Sequence, residues 1–231
     1  RGIGIEKLPA LMQSCNLDRA IVWHAAQYDD HPDFGNEILN GEIAGNSKLF
    51  GSWVVLPSLS GAKNFKSFFK SMKGRRIVAL HAFPDQGNYQ MRREAWGHFM
   101  DEVSERKIPL VLSVEFALSW PALYDFLADY PNITCIMQAI VIWGRARQWW
   151  PLLDKYPNCS IQSAAPSLEM GGLETAVKRF GAERVVFGGG FPFRYLEGAA
   201  LQLEHADIKE SERELIAFKN LERILKEADY E

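Results

Sequence analysis

Apolar residues recur along the chain in two alternating rhythms. Short runs rich in β-branched and aromatic residues stand at positions 20–23, 50–56, 77–82, 110–114, 134–139, 159–163 and 184–187, and read as buried strands. Between them, apolar positions fall three and four apart, which predicts helices over 6–15, 36–44, 62–73, 92–106, 121–128, 145–155, 173–180, 198–205 and 211–228. In the helix over 62–73, Phe65, Phe68, Phe69 and Met72 share one side, and Gly74 ends it. The stretch 28–34, rich in Asp and carrying Pro32, reads as a polar loop.

Strands alternating with helices at this spacing predict parallel βαβ units. Eight such units close a barrel of about 250 residues, and seven are counted here. The expected fold is therefore an α/β, TIM-type (β/α)8 barrel, distorted, whose first strand lies upstream of Arg1 or is irregular, with the whole of 1–231 forming one domain. An open doubly wound sheet fits less well, because no Gly-x-Gly-x-x-Gly follows an early strand.

Composition narrows the function classes. With 26 basic against 29 acidic residues and a net charge of −3, the chain has no nucleic-acid footprint and no polybasic membrane patch. No apolar run approaches the roughly 18 residues of a spanning helix, so no membrane role is expected. Three cysteines without a close pair suggest neither a disulfide framework nor a metal knuckle, and a cytoplasmic setting is the expectation.

The stretch Glu183-Arg184-Val185-Val186-Phe187-Gly188-Gly189-Gly190-Phe191-Pro192-Phe193 is the most informative. A buried strand runs into three glycines at the place where an α/β protein usually keeps its chemistry. Together with Leu17-Asp18-Arg19-Ala20-Ile21-Val22, Gly35-Asn36-Glu37, Leu49-Phe50-Gly51, Leu80-His81-Ala82-Phe83-Pro84, Ile108-Pro109-Leu110-Val111-Leu112 and Tyr156-Pro157-Asn158, in this order, it resembles the amidohydrolase-2 (amidohydrolase-related) branch of the metal-dependent hydrolase superfamily. That resemblance implies a distorted TIM barrel performing metal-dependent hydrolysis or decarboxylation. It also makes departures legible. No His-x-His is present, Ser113 and Gln138 stand where the family has histidines, and Gly190 stands where it has an aspartate. A catalytic zinc takes about three protein ligands, so the resemblance implies that the usual metal site has been lost and no cofactor is expected. The alternative is an active hydrolase or decarboxylase for a small carboxylate or lactone, with zinc or another divalent metal held by a rearranged site.

On a barrel, strand ends line one mouth. There His81 and His24 are candidate general bases and Glu115 a candidate acid. Ser113, Gln138, Arg194, Gly189, Gly190 and Trp143 are candidate ligand contacts: Arg194 as a carboxylate or phosphate clamp, the glycines as a backbone anion nest or merely a sharp bend. Trp143, Trp149 and Trp150 suggest a pocket rim or a homo-oligomer contact, with at least one of them in the core. The expected ligand is a small polar or anionic molecule. His31, His98 and His205 read as surface or packing residues.

Overall fold

The computed structural model describes residues 5–57, 65–114, 116–138, 146–164, 171–192 and 194–231. All seven expected strands are present: β1 (Ala20–Val22), β2 (Leu49–Val54), β3 (Ile77–Ala82), β4 (Leu110–Ser113), β5 (Cys135–Gln138), β6 (Cys159–Gln162) and β7 (Val185–Val186). They form one parallel sheet in the order β1-β2-β3-β4-β5-β6-β7, with helices between consecutive strands. This is the α/β barrel architecture, distorted, read from the strand–helix alternation.

Parallel strands buried on both faces carry near-continuous apolar runs, and the two faces here pack differently. Outward-facing Leu80, Leu110, Leu112, Cys135, Met137, Cys159, Ile161 and Val185 join the main core beneath the helices. That core holds an aromatic layer of Phe69, Phe99 and Trp96, all fully buried. Each such side chain contributes about 1.5–3 kcal/mol through removal from water. Inward-facing Ala79, Val111, Ile136 and Val186 form a separate small cluster with Ile224, against which Ile21 and Leu221 pack. Side chains from both edge strands, β1 and β7, thus meet in one interior, which is what curls the sheet.

Ile224 and Leu221 come from the C-terminal helical run, Glu210–Glu214, the π-helical turn Leu215–Lys219, and Asn220–Glu227. A π turn leaves a main-chain carbonyl without its usual partner. The Ile216 carbonyl accepts the Phe187 N–H at 2.9 Å and so ties the helix to the end of β7. One turn later the buried Asn220 amide donates to the carbonyls of Ala182 and Val185, both at 2.7 Å.

Two local expectations are corrected. The stretch 28–34 is not a loop: it contains the end of a short helix, Ala26–Asp29, and the start of the helix Pro32–Ala44. Pro32 occupies the first turn, where its missing N–H costs nothing, and the His31 ring accepts the Asp33 N–H at 3.3 Å as its cap. The helix expected over 92–106 is broken into Arg93–Trp96 and His98–Glu105 by Gly97, whose φ is +50°. Behind β2, Asn36 imitates a neighbouring strand, its amide accepting from the Val54 N–H and donating to the Val54 carbonyl, each at 2.9 Å. Gln27 donates to Asn36 and to the Ser52 carbonyl, which holds the end of β2 in place. Gly35 permits this approach, since a Cβ there would lie 2.3 Å from the Gln27 backbone nitrogen.

Cys135 and Cys159 are register partners on β5 and β6, fully buried, and their mutual hydrogen bond together with burial raises the Cys135 thiol well above its ordinary pKa. Only the thiolate reacts. An aromatic disulfide reagent is therefore expected to titrate Cys15 alone in the native protein and all three cysteines in denaturant; rapid native reaction of a second thiol would contradict this packing.

Candidate functional site at the barrel mouth

Alternation along the strands sends Ser52, His81, Ser113, Gln138 and Gln162 into the barrel one step above the small apolar cluster, where they are linked side chain to side chain. Gln162 Nε2 donates to Gln138 Oε1 at 3.3 Å, and Gln138 Nε2 donates to Ser113 Oγ and lies 3.3 Å from His81 Nε2. On its other side the His81 Nδ1 contacts Ser52 Oγ. The Gln138 amide nitrogen has only hydrogens to offer, so His81 Nε2 is the acceptor and Nδ1 carries the proton, donated to Ser52. The imidazole is thereby neutral. Burial drives the His81 pKa down to about 3, against a smaller opposing effect of the Gln138 contact.

An aromatic wall stands beside this floor. Trp23 lies 6.1 Å from the His81 ring and 5.3 Å from Phe83; Tyr28 meets Phe83 edge-on at 5.2 Å and stacks on the exposed Phe116 at 4.9 Å.

The three glycines at the end of β7 have distinct steric reasons. A Cβ at Gly188 would lie 2.5 Å from the Gln162 side-chain amide, and one at Gly189 would lie 2.2 Å from Leu196 Cδ1. Gly190 has φ of +63°. The Gly188 N–H is donated to Ser163 Oγ at 3.2 Å. The positive φ favours glycine at Gly190, while Gly188 and Gly189 lie against the ends of the Gln162 and Leu196 side chains. The substitution Gly190→Asp is expected to destabilise by about 1–2 kcal/mol, the cost of a side chain in the left-handed region, read as a lower urea midpoint at unchanged slope; no loss would show that the turn relaxes freely.

Of the residues singled out in the sequence, His81, Ser113 and Gln138 come together. His24 does not join them: its Nδ1 accepts the Ala26 N–H at 3.0 Å and its Nε2 faces Glu42 at 3.8 Å, because the alternation that turns Ile21 and Trp23 inward turns His24 away. Arg194 reaches back to the Ala164 carbonyl just beyond β6. Gly189 and Gly190 lie on the rim as backbone. Trp149 is core, and Trp150 packs on Phe180 under the Arg179 guanidinium, 4.6 Å from its ring. Glu115 and Trp143 fall outside the described residues. His31, His98 and His205 are exposed. The sequence reading missed Gln162 and the wall residues Trp23, Tyr28 and Phe83. Gln162 was within reach, since Ser160-Ile161-Gln162 ends β6 just as Ile136-Met137-Gln138 ends β5.

Among the described residues, no three His, Cys, Asp or Glu side chains converge as metal ligands would, and no helix is long and apolar enough to cross a membrane. Neither protein-family models nor curated protein sequences match the chain. Solved structures do. An uncharacterised TIM-barrel protein from Bordetella bronchiseptica superposes with a TM-score of 0.76 at 14% identity, covering 97% of this chain and 83% of that one. A dihydroxybenzoic acid decarboxylase from Polaromonas sp. JS666, with bound manganese and the inhibitor 2-nitroresorcinol, gives 0.70 at 15%, covering 97% and 86%. An amidohydrolase II gives 0.68 at 13%, covering 98% and 90%. At these identities the likeness establishes the fold.

Proposed function

We propose that this chain is an amidohydrolase-related barrel protein that binds a small molecule at the strand-end mouth and has given up the divalent-metal centre of that family. The observation that carries this reading is the continuous chain Gln162–Gln138–His81–Ser52, with Ser113 bonded to Gln138. A catalytic transition-metal centre is built chiefly on imidazole, thiolate or carboxylate donors. The floor offers hydroxyls and amides, and its one imidazole has both nitrogens engaged inside the chain. Among the described residues, the donors at the floor do not fit such a centre.

Protein purified without chelator is expected to hold substoichiometric zinc, manganese and iron by elemental analysis, and added manganese is expected to leave the melting temperature unchanged. Near-stoichiometric metal would overturn the reading. It would favour the second one, a hydrolase or decarboxylase acting on a small carboxylate, with Glu115 after β4 as a candidate acid or ligand. The manganese-bound decarboxylase of the same fold motivates that alternative.

A further inference from the structure

We infer that the mouth selects an uncharged, hydroxyl-bearing ring over the corresponding carboxylate, with the ring's face against Trp23 and Tyr28 and its hydroxyls bonded to Gln138 and Gln162. This rests on the small-molecule reading above and narrows it to a ligand class.

The floor is partly open to the mouth at Gln138 and Gln162, while Ser52, His81 and Ser113 beneath are buried. Gln138 spends both amide hydrogens, on Ser113 and His81, and presents its carbonyl oxygen, which already accepts from Gln162. Gln162 retains a second N–H and its own carbonyl. Among the described residues, the floor facing a ligand is thus a mixture of neutral acceptors and donors. A hydroxyl, which both donates and accepts, satisfies such a pair; a carboxylate only accepts and would set its charge against the amide carbonyls. Burying that charge without a cation is costly. The described cation at the rim, Arg194, is turned to the Ala164 carbonyl, and His81 is held neutral by its bonds to an amide hydrogen and a serine. The wall supplies the second half of the recognition. Trp23 and Tyr28 are half-buried, and their rings continue through Phe83 to Phe116 at spacings of 4.9 to 5.3 Å in tilted and edge-on pairs, giving an apolar aromatic wall whose half-buried rings a ligand ring can pack against.

Resorcinol and 2,6-dihydroxybenzoate share one ring and the same two hydroxyls and differ by a carboxylate, so they isolate the charge. In calorimetric titrations of the full chain near pH 7.5, resorcinol is expected to bind about tenfold tighter or more, the equivalent of about 1.4 kcal/mol. Gln162→Met, at a half-buried position that leaves the Gln138–His81 and Gln138–Ser113 contacts intact, is expected to weaken resorcinol about tenfold without lowering the melting temperature. Gln162→Glu is expected to keep the hydroxyl contact and to weaken the carboxylate further. If 2,6-dihydroxybenzoate binds as well as or better than resorcinol, the inference is overturned while small-molecule binding at the mouth stands. If neither ring binds, both fall together. Unchanged resorcinol binding in Gln162→Met would place the ring elsewhere and overturn the inference.

Discussion

Acidification is expected to destabilise this protein before its surface carboxylates titrate, and His81 is the reason. Its folded pKa lies near 3 while the unfolded value is 6.5. Between these values the unfolded chain binds a proton that the folded chain refuses, so stability rises with pH through this window and falls as pH drops below about 6.5. The slope from one such group is about 1.4 kcal/mol per pH unit, or roughly 3 kcal/mol by pH 4.5, a large share of a typical stability of about 5–15 kcal/mol. Urea midpoints measured from pH 7.5 to 4.5 report the effect. His81→Asn, which keeps a polar group but no titratable one, is expected to be less stable at pH 7.5 and to lose this part of the acid slope. Parallel profiles for the two proteins would show that His81 is not the group responsible.

The second large effect is expected at Asn220. Its side chain is buried and donates to two main-chain carbonyls, of Ala182 and Val185, at the start of β7. Asn220→Ala removes both donated bonds; the Ala182 carbonyl keeps the Val185 N–H while the Val185 carbonyl loses its side-chain donor, so a loss of about 1–3 kcal/mol is expected. Asn220→Asp should cost more, since a carboxylate would face two carbonyl oxygens. The loss is expected to appear locally as well: amide exchange in Asn220–Glu227 should accelerate more than in β4 and β5, because Ile224 is held in the barrel through this anchor. A change below about 0.5 kcal/mol, within the range of surface substitutions, would mean that the helix docks through its apolar face alone.

The aromatic wall and the amide floor show where sequence reading succeeds and stops. Ser113 and Gln138 were legible because each stands next to the end of its apolar run, where the family resemblance implies a histidine, and in the fold they are register partners on β4 and β5. His24 was misplaced for a local reason. The run 20–23 predicts a strand with His24 just past its end, whereas β1 ends at Val22 and a one-residue step reverses which side chain faces inward. Tyr28 reaches the mouth on the short helix Ala26–Asp29, which the Asp-rich composition of 28–34 conceals.

Short-range patterning was sufficient for the seven strand cores, most of the helices and the parallel barrel class, because burial on both faces and the 3.6-residue rhythm are written in consecutive residues. The neutrality of His81 could not be read in the same way. It depends on Ser52 and Gln138, which lie 29 and 57 positions away along the chain and arrive through β2 and β5. A side chain's charge state is set by what surrounds it in space, and in a barrel those surroundings are assembled from strands whose register and curl no local stretch encodes.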